Sequence, residues 1–158
     1  MKNVKFLLSA ALVFLASAAL AQDFSAPQYA KWGATPEERE QNILNSNFLK
    51  ESCDNRDYDA AAHYLKGLID KIPDAAESIY QRGAVVYKNK INRAKSVAEK
   101  NMFIDSLMLM YDMRAQYFGD NVKPGKTAFI LDQKAREFLR YKPNDRKGIR
   151  EAFRAAIA

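Results

Sequence analysis

The sequence predicts an all-α protein of about six helices behind an N-terminal export signal. Three observations carry the prediction. Apolar residues recur at three- and four-residue steps from Pro36 onward, helix-capping signals stand at Thr35 and Ser96, and no stretch alternates strictly between apolar and polar. The chain has 158 residues, with 48% apolar content to fill a core and too few Gly (6) and Pro (5) for a disordered or collagen-like chain.

Residues 1–21 read as a signal peptide. Lys2 and Lys5 precede an uncharged run, Phe6 to Leu20, and Ala19-Leu20-Ala21 forms an A-x-A cleavage site. The run is short of the roughly 20 residues a spanning helix needs. No Cys follows it, so a lipid anchor is not supported, and no transmembrane span is expected in the rest of the chain. The product is expected to be exported, periplasmic or envelope-associated. Residues 22–34 hold Pro27 and Gly33 without a period and read as an extended lead-in, with Trp32 packing over the first helix.

A helical domain is expected over 35–158. Thr35-Pro36-Glu37-Glu38 starts the first helix with a capping box and Pro in the first turn. Ile43, Leu44, Phe48, Leu49 and Cys53 spread over more than one face, as in a helix with neighbours on two sides. Asn55-Arg56-Asp57 forms a turn. The second helix follows over 59–72, striped by Ala61, Leu65, Leu68 and Ile72, and Pro73 stops it. Asp74 is placed to cap the third, whose stripe is Ala76, Ile79, Gly83 and Val86 and which continues to about residue 94. Ser96-Val97-Ala98-Glu99 opens the fourth, with Phe103, Leu107, Met110, Arg114 and Phe118 in helical steps and Gly119 as the stop. The fifth helix spans 126–142, striped by Ala128, Leu131, Ala135, Phe138 and Leu139. The sixth runs from Arg146, striped by Ile149, Ala152, Phe153 and Ala156.

Helices paired by short turns suggest a repeat array. Asp57-Tyr58-x-x-Ala61, followed by Pro73 twelve residues after Ala61, resembles one tetratricopeptide unit over 44–73. Gly83, one repeat of about 34 residues beyond Leu49, matches the small-residue position of a next unit. Leu49 and Ser52 depart from the family's glycine and aromatic preferences. The stretch Tyr87 to Gly119, with Ser106-Leu107, Tyr111-Asp112 and Gln116-Tyr117-Phe118-Gly119, resembles the N-terminal portion of exported tetratricopeptide proteins of Gram-negative envelopes. The resemblance implies antiparallel helix pairs stacked as a short right-handed solenoid that binds extended segments in a groove. By it, Asn45, Asn47, Tyr80 and Tyr87 are the candidate groove residues. The sequence stops on apolar helical residues up to Ala158, and two readings stay open: an N-terminal part of a longer solenoid, or a last helix docked on the body.

Searches for chemistry return little. One Cys excludes an internal disulfide and a Cys-based zinc site, and one His excludes di-His metal sites within the chain. Gly119 to Thr127 suggests a phosphate loop, but five residues rather than four separate its glycines and a helix precedes it instead of a strand. Met108, Met110 and Met113 lie close in sequence, yet at about 100° per residue their three sulfurs cannot converge from one helix. His63 reads as a surface side chain. Cys53 reads as a buried thiol, with an intermolecular disulfide as the alternative. No catalytic residue, cofactor or metal is expected.

The charge is uneven. Of the formal +6, residues 123–158 alone supply ten Lys or Arg against four Asp or Glu. Arg136, Arg140, Lys147 and Arg150 are the candidates for a basic docking face toward an acidic partner, the simpler reading being a solvated helix surface. Nucleic acid is not expected outside the cytoplasm. The leading expectation is a non-catalytic interaction module holding a peptide or protein in the cell envelope. The alternatives are a structural segment of a larger envelope assembly and an acid–base hydrolase needing two carboxylates in one cleft.

Overall fold

The computed structural model describes residues 22–157; the expected signal peptide, 1–21, and Ala158 lie outside the described residues. A short 3-10 helix, Pro27–Trp32, precedes six α-helices: α1 (Pro36–Asp54), α2 (Tyr58–Lys71), α3 (Glu77–Arg93), α4 (Val97–Phe118), α5 (Lys126–Tyr141) and α6 (Arg146–Ile157). There is no strand among the described residues, and none of their helices is long and apolar enough to cross a membrane.

The local signals explain most boundaries. Thr35 Oγ1 accepts the Glu38 amide at 3.2 Å, and the Glu38 carboxylate accepts the amides of Ala34 and Thr35 at 2.8 and 3.4 Å. Two orphan donors of α1 are thereby satisfied. Asp57 caps α2 by accepting the Ala60 amide at 3.1 Å, after a turn in which Arg56 takes a left-handed φ of 60°. Ser96 accepts the Glu99 amide at 3.1 Å, while the Glu99 carboxylate reaches the Lys95 amide at 2.7 Å, one residue earlier than the usual box. Asp74 does not cap α3. Ala76 holds that position without a side-chain bond, and Asp74 instead pairs with Lys31 at 3.7 Å. Gly119 ends α4 at φ −85°, so its missing side chain serves space rather than a left-handed turn: Ala115 O and Thr127 Oγ1 crowd the place of a Cβ.

The lead-in is not extended. Its 3-10 helix folds back on α1, where Asn42 donates to the Trp32 carbonyl at 2.8 Å. Arg39 fans out from α1 to the carbonyls of Gly33 (2.9 Å) and Phe24 (3.1 Å).

Helices pack against their neighbours in order, α1 on α2 through α5 on α6. Beyond sequence neighbours, the backbones of α1 and α3 also come together, and side chains of α3 reach α5 through Lys88–Glu137 and Glu77–Lys126. Two apolar clusters result. The first joins α1, α2 and α3 around Leu49, Leu65, Leu68 and Tyr80, reaching Met110 of α4; the second joins α3, α4 and α5 around Ile104, Leu107 and Ile130. The stripe read for α5 is rotated. Ile130 is fully buried and Ala135 with it, whereas Ala128 is exposed and Leu139 is 44% exposed. The reason is Glu137, which occupies the buried face because Lys88 of α3 meets it there at 2.6 Å.

Asp57, Tyr58, Ala61, Pro73 and Gly83 all have structural duties in this arrangement. Tyr58 and Ala61 are buried, and Pro73 follows the last residue of the α2 turn. Gly83 lets α3 approach its neighbours: a Cβ there would stand 2.7 Å from Met110 Sδ and 3.2 Å from Leu65 Cδ1. Both neighbours are buried, so neither can swing away. Gly67 offers the contrast, being mid-helix with nothing within 4 Å of an added Cβ. Gly67→Ala should therefore gain about 0.5–1 kcal/mol from helix propensity alone. Gly83→Ala should lose about 1–2 kcal/mol, the overpacking outweighing the same gain. Denaturant midpoints of the two variants check this; a shift of the same sign in both would refute the close approach.

Candidate functional site

The four residues expected to line one groove do not share a surface. Asn45 is half-buried, accepts from Gln41 at 3.0 Å, and borders a small α1–α2 cleft with His63 and Tyr64. Asn47 is exposed, two residues on and so on the other side of α1. Tyr80 is a correction: it is 1% exposed, its ring lies 6.3 Å from that of Tyr117, and its hydroxyl donates to the Pro73 carbonyl at 2.6 Å. Burial pushes its phenol well above the ordinary range. Tyr87 is half-buried between the two clusters, 6.5 Å ring to ring from Phe103. The sequence could not separate these roles, because an aromatic at helical spacing suits a core and a groove equally.

The basic residues are all exposed, but three are paired locally. Arg136 meets Asp132 at 2.7 Å, Arg140 meets Glu137 at 3.5 Å, and Lys147 meets Glu151 at 3.9 Å. Such exposed pairs contribute little stability and reduce the free charge offered to a partner. Arg150 is exposed and makes no ion pair among the described residues.

Other residue types weighed from the sequence have plain positions. Met110 belongs to the first cluster and Met108 to the second, so their sulfurs diverge. Thr127 Oγ1 accepts the Asp120 amide, and Asp120 in turn accepts the Thr127 amide, both at 2.9 Å. The Gly119–Thr127 loop thus closes on itself and spends the hydroxyl a phosphate loop would present. Cys53 is half-buried, and burial pushes its thiol up, away from the reactive thiolate range.

Two part-buried charged ties link α3 to α5. Glu77, at the start of α3, accepts from Arg114 Nε of α4 at 2.9 Å and from Lys126 Nζ of α5 at 2.6 Å. Arg114 also donates to Gln133 of α5 at 2.9 Å. Burial alone would raise the Glu77 carboxyl, but the two cations hold it below the ordinary range. The second tie is Lys88–Glu137. Burial works against the Lys88 ammonium, yet the Glu137 carboxylate keeps it above its ordinary range.

An open feature lies between α4 and α6, whose backbones do not come together. Both pack on α5, and between them runs a groove of about 660 Å³. Residues at helical spacing line each wall: Asp105, Met108, Leu109 and Asp112 on α4, then Gly148, Glu151, Ala152 and Ala155 on α6. Phe138 and Lys134 of α5 form the floor, with Asp145 at the α5–α6 turn. Sequence reasoning did not find it, since its residues come from three helices and none stands out alone. The missed signal is the pair of small residues Ala152 and Ala155, the first of them on the α6 stripe and the second beside it.

Four carboxylates gather in this groove. Asp112 is held by Lys134 at 2.5 and 2.7 Å, Asp145 caps α6 by accepting the Gly148 amide at 2.8 Å, and all four are exposed.

These features define a helical protein whose successive pairs leave an open, three-walled groove. Comparison of the chain with family models, with curated proteins and with solved structures finds no match.

Proposed function

We propose that this chain is a non-catalytic interaction module of the cell envelope, a short tetratricopeptide-like array of three helix pairs that holds a protein segment in the groove between α4 and α6. The observation that carries the reading is that groove itself. It has an apolar centre, Met108, Leu109 and Phe138, walled by helices that contact their sequence neighbours and not each other across it. That is how repeat arrays make ligand surfaces. Export is inferred from Lys2, Lys5, the uncharged run and Ala19-Leu20-Ala21.

The test uses the full chain in its native cells, with a photo-crosslinking amino acid at Leu109 or at Asn47. Leu109 is 49% exposed in the groove, and Asn47 is exposed on α1. The expected result is a periplasmic product shortened by 21 residues and one adduct of defined mass from position 109 but not from 47. Retention in the cytoplasm would overturn the envelope placement. Absence of an adduct at 109 would overturn the groove as the binding surface.

A further inference from the structure

Resting on that reading, we infer that the α4–α6 groove takes a basic segment of its partner, one that seats apolar side chains on Phe138 and sets Lys or Arg against the walls. The sign of the charge carries the argument. Over 123–158, the most basic part of the chain, Lys and Arg outnumber Asp and Glu by ten to four. Set against this, the groove is lined by four carboxylates, Asp105, Asp112, Asp145 and Glu151, and one ammonium, Lys134. That ammonium already bonds both Asp112 oxygens. Among the described residues Asp105 makes no ion pair, and Glu151 has a single long one at 3.9 Å.

The groove is therefore an acidic channel bordered on one side by the most basic part of the chain. Arg150 stands exposed on α6, while Arg136 and Arg140 are exposed but paired with Asp132 and Glu137, so the carboxylates between the walls rather than repulsion outside them select a basic segment. The acidic partner expected from net charge alone is the wrong complement for this site. Apolar contact fixes position: Met108 and Leu109 face Ala152 and Ala155 across Phe138, and the two alanines leave room for side chains the partner brings. Rim carboxylates then contribute specificity and association rate more than raw affinity.

The probe is a fluorescein-labelled 14-residue peptide with Leu and Phe at helical spacing between lysines, titrated with the full chain and read by anisotropy. Two control peptides replace every Lys by Glu, or every Leu and Phe by Ser. The basic apolar peptide is expected to bind, at least tenfold more tightly than either control, and to weaken as salt rises from 50 to 300 mM. Asp105→Lys with Glu151→Lys should cost at least tenfold while leaving the melting temperature unchanged, because neither side chain supports a cap or the core. Leu109→Glu, at another exposed position, should cost a similar factor.

Equal binding by the acidic peptide, or indifference to both variants, would overturn the inference. So would concentration-dependent self-association that these substitutions abolish, since the occupant would then be a second copy. If the Leu109 crosslink forms in cells while the basic peptide fails to bind, the interaction module stands and the basic occupant falls. If neither appears, both fall.

Discussion

Lys88→Met should destabilise the fold by about 3 kcal/mol, and adding Glu137→Met should restore most of the loss. Glu137 is 8% exposed, and its Oε2 finds no hydrogen-bond partner among the described residues. Its charge is tolerated because Lys88 stands 2.6 Å from Oε1. Removing the ammonium strands a buried carboxylate, with Arg140 left at 3.5 Å from Oε2 as a weak and exposed substitute. Replacing both partners by methionine removes the desolvation cost along with the attraction, so the double variant should fall within about 1 kcal/mol of the native chain. Denaturant unfolding of the two single variants and the double variant measures this. Additive losses would mean that the pair is not coupled and that packing alone sets the cost.

This pair also marks where the sequence stops being informative. Capping boxes, Pro73 and the α2 stripe are local, so Thr35, Ser96, Ala61, Leu65 and Leu68 could be placed from spacing alone. The partners of Glu137 and Glu77 could not, because Lys88 and Lys126 are each far away along the chain. One trace was visible. Arg114 fell in step with Phe103, Leu107 and Met110, and a cation on a core stripe demands a buried partner. Glu137 gave the opposite impression, its charge shifting the α5 stripe onto Ala128 and Leu139, which are exposed. The groove was illegible for a related reason: α4 and α6 meet only through α5, and no pairwise pattern encodes an empty space. Tyr80 shows the limit of a family resemblance, since a position that can face a ligand in one array carries the core here.

Glu77→Gln should cost about 2–3 kcal/mol, because it leaves two cations facing each other without a counter-charge. The side chains of Arg114 and Lys126 are 11% and 18% exposed, so water only partly makes up the loss. The pH dependence distinguishes this tie from a simple packing contact. The folded carboxyl lies below its ordinary value of 4.5. A depressed carboxyl stabilises the fold fully above the unfolded value and loses that contribution as pH falls through the folded one. The gap between native chain and variant should therefore stay constant from pH 7 to about 5.5, then narrow below about 4.5, as the native carboxyl takes up its proton. A gap unchanged down to about pH 3 would mean that shape, not charge, holds α3 to α5. Gln133, which shares Arg114 with Glu77, sits beside Lys134 at the groove floor. The tie thus fixes the element on which the groove is built. Glu77→Gln should weaken the basic peptide at pH 7 even though Glu77 never touches it, as read by the same anisotropy titration.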